Sequence, residues 1–165
     1  MEILKIVYLH TGTNLGNRLE NLQKVNQLIT THIGKIEQLS SIYETEAWGV
    51  ENQADFLNQA LSVKTALTPQ EVLQKIYVIE QTEFNRVREQ RWAERIIDVD
   101  ILFYDNEIVD TPNLTIPHPQ IPFRNFVLIP LMEIAPYFEH PILKETIENL
   151  YLKSEDTLEV ILTEY

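Results

Sequence analysis

Three patterns predict that this 165-residue chain is an α+β protein, a ferredoxin-like split βαβ sandwich with an additional C-terminal lobe. Apolar residues switch between alternating and helical spacing in the order strand, helix, strand, strand, helix, strand, which is the order of that sandwich. The second helix carries an explicit start signal at Thr68-Pro69-Gln70-Glu71. After Tyr104 the alternation gives way to a stretch punctuated by Pro112, Pro117, Pro119, Pro122 and Pro130, an irregular region beyond the sandwich.

Residues 3 to 9 are β-branched and apolar, which predicts a strand, and Thr11 to Gly16 follow as a turn of short polar side chains. Leu19, Leu22, Val25, Leu28 and Ile29 recur at helical spacing, predicting a helix over 17–32 that Gly34 stops. Residues 36 to 43 alternate as a strand, 48 to 55 read as a loop, and 56 to 65 form the next strand. In the second helix a threonine cap, proline at the first position and an acid in the first turn precede Leu73, Ile76, Tyr77 and Glu80 on the inward face. An arginine-rich loop then leads to a strand over 96–104, Asp105-Asn106-Glu107 reads as a hairpin turn, and a short helix occupies about 128–134.

One domain spanning 1–165 is long enough to bury a core without disulfides or structural zinc. The absence of cysteine excludes thiolate nucleophiles and cysteine metal sites. No apolar run approaches the roughly 18 residues of a membrane span, and the first residues lack the basic lead and cleavage site of a secretory leader. The expectation is a soluble, cytoplasmic protein with no membrane partner. A formal net charge of -12 argues against a broad nucleic-acid surface, which needs basic residues spread over one face.

The basic residues are instead focused. Four of the six arginines, Arg86, Arg88, Arg91 and Arg95, lie within ten positions and run into Asp98 and Asp100. Guanidinium forks match phosphate oxygens in shape and charge, so these arginines can line a phosphate channel, with Trp92 stacking on a base or closing the loop. On a strand, side chains two apart share a side, so Asp98 and Asp100 face together. That spacing serves a shared Mg²⁺ and a solvated outer strand face equally well. His118, stiffened by Pro117 and Pro119 and followed by Arg124, can donate a hydrogen bond to phosphate. His10, His32 and His140 lack such company and read as structural. Phe56, Asn58 and Phe126 offer two aromatic planes and an amide for a flat heterocycle, although no periodicity brings 56 beside 126. Neither a P-loop, a dinucleotide fingerprint nor a serine-hydrolase elbow is present.

Four ordered motifs carry a resemblance to a known family. They are Tyr8-Leu9-His10-Thr11-Gly12-Thr13-Asn14-Leu15-Gly16; Tyr43-Glu44-Thr45 through Gly49 to Phe56-Leu57-Asn58; Arg86 to Ile101; and Pro117-His118 to Leu128. Across nearly the whole chain these resemble the 6-hydroxymethyl-7,8-dihydropterin pyrophosphokinases of folate biosynthesis. The resemblance implies transfer of the β,γ-diphosphate of ATP to the hydroxymethyl group of the reduced pterin by a monomeric enzyme, with two Mg²⁺ ions on Asp98 and Asp100. It further implies that Arg86, Arg95, His118 and Arg124 contact ATP phosphates, and that Arg88 and Trp92 belong to a closing loop beside Arg91. Ile101 and Thr115 border the nucleotide. Phe56 and Phe126 stack the pterin, while Asn58 and the Thr45 region read its edge. Arg86, Arg95, Asp98 and Asp100 are the expected catalytic set.

The chain departs from the family pattern at three places. Ala93-Glu94 replaces Gly-Pro among the arginines, Thr45-Glu46-Ala47-Trp48-Gly49 lacks a proline and puts Trp48 near the pterin pocket, and the interval from Glu80 to Arg86 is one residue longer. Counting from Pro69 assigns the family's helix glutamate to Glu80; counting back from Arg86 would select Gln81. Two rival classes remain at this point: a non-catalytic nucleotide or pterin binding module, and a ferredoxin-like RNA binder, which the acidic charge opposes.

Overall fold

The computed structural model describes residues 2–46, 54–84 and 96–165. The chain is a mixed α/β protein whose main sheet is antiparallel. In it β1 (Lys5–Thr13) is central, flanked by β5 (Asp98–Tyr104) on one side and β4 (Phe56–Thr65) on the other. Beyond β4 lie β2 (Lys35–Leu39) and β3 (Tyr43–Thr45), and the two-residue β8 (Ile161–Leu162) closes the edge against β3.

Four helices cover the two faces. On one face α1 (Arg18–His32) and α2 (Pro69–Val78) bury Leu22, Val25, Ile29, Val72 and Ile76 against Val7, Leu9, Leu57, Leu61, Val63, Val99 and Ile101. On the other, α3 (Asn125–Ile134) and α4 (Ile147–Lys153) pack Val127, Leu128, Leu131, Ile147 and Leu150 against Ala60, Leu102 and Phe103. Tyr8, Phe103 and Phe138 form an aromatic cluster in this second core, with Phe103 and Phe138 centroids 4.6 Å apart. Such a pair contributes about 1 kcal/mol beyond its burial.

Local chemistry explains the boundaries. Asn17 caps α1 by accepting from the Glu20 N–H, and Thr68 and Glu71 form the reciprocal capping box foreseen for α2. Gly34 does more than stop α1: a Cβ there would sit 2.1 Å from the Lys64 carbonyl oxygen, so the chain can cross β4 only at glycine. The strand expected over 3–9 instead runs to Thr13, because pairing on both sides holds Thr11, Gly12 and Thr13 in extended form. The single strand expected over 36–43 breaks at Ser40. The Ser40 N–H still donates to the Ala60 carbonyl, but its hydroxyl accepts from the Ala60 N–H and its carbonyl accepts from Gln59 Nε2, so side chains take over one of the two ladder bonds where the chain bends.

After α2 a π-helical turn (Ile79–Glu83) fits one more residue per turn than an α-helix. Beyond β5, Asp105 and Asn106 turn the chain, and the hairpin itself is β6 (Val109–Thr111) and β7 (Leu114–Ile116). Helix α3 begins three residues before the predicted 128, and α4 and β8 were not foreseen. Asp156 anchors the last segment by accepting from the Asn125 N–H at the start of α3.

Candidate active site

Rows across three strands assemble the polar positions. Gly12 pairs with Asp98 on β5 and with Asn58 on β4; two residues earlier, His10 pairs with Asp100 and Ala60. Asn58 is opposite Tyr43 and Phe56 opposite Thr45 on β3. Opposed residues share a face and alternate along each strand, so Asp98, Asp100, His10, Gly12, Asn58, Phe56 and Thr45 all lie on the α3 side. Two strand spacings separate Asp98 from Asn58, about 10 Å.

At the β5 end is a groove of about 420 Å³. Asp98, Asp100, Ile101, Thr115, His118 and Arg124 all line it, together with Leu73 and Tyr77 from α2 and Asn113 from the hairpin. The residues that sequence reading assigned to the nucleotide outside the arginine loop thus converge on one cavity. Burial pushes the His118 ring down to about 4, assisted by the Arg124 charge and opposed by Asp98. The ring is therefore neutral at pH 7. Its Nδ1 accepts from the Gln120 N–H at 3.1 Å, which leaves the proton on Nε2 as a donor.

Glu80, fully buried in the π turn, braces this end: its Oε2 accepts from the Val99 N–H at 3.0 Å, between the two aspartates. Gln81 is exposed. Helix register therefore selected the residue that touches β5. Among the described residues no group of three or more histidine, cysteine or acidic side chains gathers to hold a metal. Asp98 and Asp100, both half-buried on one side of β5, nevertheless fit Mg²⁺. That ion is usually held by one or two carboxylates, with water and phosphate oxygens completing the shell.

At the other end Gly12 leaves a space bounded by three side chains. A Cβ on residue 12 would stand 3.7 Å from Asn58 Oδ1, 3.8 Å from Phe56 Cδ1 and 3.9 Å from His10 Cε1. Asn58 is buried and donates through Nδ2 to Thr45 Oγ1 at 2.9 Å and to the Tyr43 carbonyl at 3.4 Å, so Oδ1 serves as its acceptor. Phe126, on the first turn of α3, packs against the His10 ring at 5.7 Å between centroids, and the Arg124 guanidinium lies 5.6 Å from the Phe126 ring centroid. Burial drives His10 down to about 4, although Asp98 pulls the other way. His10 is thus the link that carries the Phe56 side of the space to Phe126.

Arg86, Arg88, Arg91, Trp92 and Arg95, with Ala93-Glu94, lie outside the described residues, as does Trp48. The described chain next to them is firmly tied. Thr13 Oγ1 and Asn21 Nδ2 both donate to the Ile96 carbonyl, while Asn14 Nδ2 donates to Ala54 and Arg18 to Asp55 and Glu44.

Residues 8–136 match the sequence model of a family described as 7,8-dihydro-6-hydroxymethylpterin-pyrophosphokinase (HPPK). A 2-amino-4-hydroxy-6-hydroxymethyldihydropteridine pyrophosphokinase of Aquifex aeolicus is 41% identical over 152 residues, 92% of each chain. The chain belongs to the HPPK family. The protein of the same name from Bacillus subtilis is 42% identical over 135 residues, covering 81% of this chain and 80% of its own. The fold is also that of Plasmodium falciparum HPPK-DHPS crystallised with pterin and p-hydroxybenzoate, at TM-score 0.75 and 20% identity. That match covers 93% of this chain but 43% of the other, so this chain spans under half of that longer protein.

Among the residues at the site of this HPPK-family chain that sequence reading did not assign are Asn113, Leu73, Tyr77, Gly12 and His10. Leu73 and Tyr77 were read as inward-facing but not as groove lining; their i, i+4 spacing on α2 could have indicated a shared edge. Gly12 was read as part of a turn. His10 was set aside as structural, yet its two-residue spacing from Gly12 places both on one face of β1.

Proposed function

We propose that the open end of the α3-side face is a two-substrate site, ATP at the Asp98–Asp100 end and a reduced pterin at the Phe56–Asn58–Phe126 end. The chain is an HPPK-family diphosphotransferase, and its reaction is pyrophosphoryl transfer to 6-hydroxymethyl-7,8-dihydropterin in folate biosynthesis, with ATP as co-substrate. The observation that carries the residue assignment is the row Asp98–Gly12–Asn58. It sets the backbones of Asp98 and Asn58 two strand spacings, about 10 Å, apart, with no side chain on the middle residue to separate the substrates.

In that site the hydroxymethyl oxygen attacks the β-phosphorus of ATP and AMP departs, so charge builds on bridging and terminal phosphate oxygens. Arg124 brings a fixed cation to the groove, and neutral His118 brings the N–H of Nε2; donors aimed at developing charge stabilise the transition state more than the ground state. Arg86 and Arg95 take the same role from the arginine segment, with Arg88, Arg91 and Trp92 closing over ATP. Asp98 and Asp100 would hold magnesium, two ions on the family resemblance, which would supply charge neutralisation at the phosphates. Ile101 and Thr115 border the nucleotide. Phe56 and Phe126 stack the heterocycle, while Asn58 Oδ1, the Thr45 side chain and Trp48 read its edge.

The strand order β5-β1-β4 with β2 and β3 both paired to β4 supports a ferredoxin-like assignment, with residues 105–165 added as a C-terminal lobe. We read the chain as one domain over 1–165 and as a cytoplasmic monomer working on small molecules, without nucleic-acid or membrane partners. Among the described residues no helix is long and apolar enough to cross a membrane. Purified protein given ATP, Mg²⁺ and the pterin alcohol is expected to release AMP and the pterin diphosphate. Binding of both ligands without AMP would select the non-catalytic module, and neither binding nor turnover would end the two-substrate reading.

A further inference from the structure

Helix α3 contains Pro130. In an α-helix the carbonyl of Phe126 accepts from the N–H of residue 130, and proline has none; its ring also presses on the carbonyl four residues back. The Phe126 carbonyl therefore needs a donor from outside the helix. His10 supplies it: Nε2 lies 3.1 Å from that oxygen. A carbonyl can only accept, so Nε2 carries the proton.

The same imidazole touches the other parts of the heterocycle end. Its ring meets Phe126 at 60° with centroids 5.7 Å apart, and its Cε1 bounds the space over Gly12 that Phe56 and Asn58 also bound. His10 is 4% exposed and sits on β1, the strand shared by both ends of the site. One side chain thus fixes the height of Phe126 through its carbonyl and the tilt of its ring through an edge contact.

We propose that His10 is a positioning residue for the heterocycle, holding Phe126 at its stacking distance by donating to the carbonyl that Pro130 leaves without a helical donor. The proposal rests on Phe126 being the stacking partner of the pterin. It assigns His10 no contact with ATP and no proton transfer.

The test is steady-state kinetics on the whole chain with ATP, Mg²⁺ and 6-hydroxymethyl-7,8-dihydropterin, with a thermal melt of every variant. His10→Ala is expected to raise the KM for the pterin about tenfold, the scale of one hydrogen bond lost to a buried carbonyl, while the KM for ATP moves less than twofold. His10→Gln, which keeps an N–H near the Nε2 position, should restore most of the pterin KM. Pro130→Ala returns an N–H to residue 130, so the defect of His10→Ala should shrink in that background, a coupling that a purely structural role for His10 does not produce.

Phe126→Ala serves as the reference. If it raises the pterin KM while folded His10→Ala does not, the positioning role is wrong and the pocket stands. If Phe126→Ala leaves the pterin KM unchanged, the pocket assignment itself falls. Equal rises in both KM values for His10→Ala also overturn the proposal. Should His10→Ala fail to fold, His10→Phe keeps the ring volume without the donor. It is expected to show the same selective rise, and a wild-type pterin KM in that variant refutes the role.

Discussion

The two faces of β1, β4 and β5 differ in what they do with the same backbone. Under α1 and α2 the inward strand positions from Val7 to Ile101 are mostly aliphatic and form one core cluster. Under α3 and α4 the face begins the same way, with Tyr8, Ala60 and Phe103, and then turns polar at His10, Gly12, Asn58, Asp98 and Asp100. The helices of the second face leave that end to a groove instead of covering it. The polar positions Asp98 and Asp100 sit on the α3 side of β5, while their neighbours Val99 and Ile101 belong to the α1 and α2 core and also line the groove beside Leu73 and Tyr77 of α2.

If this division is correct, substitutions on the two faces separate activity from stability. The largest effect is expected on the open face. Asp98→Asn and Asp100→Asn should each lower AMP formation by about 10³-fold or more, as for loss of a major transition-state contact, with melting temperatures close to wild type. Near-normal turnover in both would remove the carboxylates from the mechanism.

Leu61→Ala on the α1 and α2 face should do the reverse. Leu61 is fully buried in the α1 and α2 core, so truncation should cost about 3 kcal/mol and lower the melting temperature by about 10 °C. Its kcat, measured well below the melt, should stay within about twofold of wild type. A large kcat loss with an unchanged melt would break the division.

Gly12→Ala sharpens the comparison at the middle of the site. The new methyl would meet Asn58, Phe56 and His10 at ordinary contact distances, so the fold should tolerate it. It would, however, fill the space between the two ends, and one methyl in a fitted pocket is worth about tenfold. The pterin KM is the readout; an unchanged value would mean the heterocycle does not approach residue 12.

The smallest effect concerns pH and the second core. His140 is buried against Phe103, and its Nδ1 accepts from the Ile142 and Leu143 N–H groups, so burial holds its pKa below the ordinary 6.5. The unfolded chain then binds the proton first. This contribution to stability is whole above pH 6.5 and is lost as pH falls from there toward the lowered native value. His140→Asn keeps an acceptor at the Nδ1 position and removes the titration, so its melting temperature should fall less between pH 7 and pH 5 than that of wild type.

Much of this was legible in one dimension. The capping box at Thr68 and Glu71 and the apolar spacing of α1 are local signals, and the helices formed where those signals stood. Asp98 and Asp100 were placed on one side of a strand by their two-residue spacing alone. The π turn after α2 was not legible, because the bond that Glu80 accepts there comes from the Val99 N–H on another element. The break at Ser40 was hidden for a similar reason: its cause is a hydroxyl engaged by a residue on another strand.

The sequence by itself determined the first two helices, most strands of the main sheet and, through its motifs, the family. Periodicity and capping act over a few residues, and they leave their trace there. Only the tertiary structure decided that Asp98, Gly12 and Asn58 form one row and that His10 of the next row meets the ring and carbonyl of Phe126. Those relations join residues up to 116 positions apart, and sheet register and helix docking, which no local pattern encodes, bring them together.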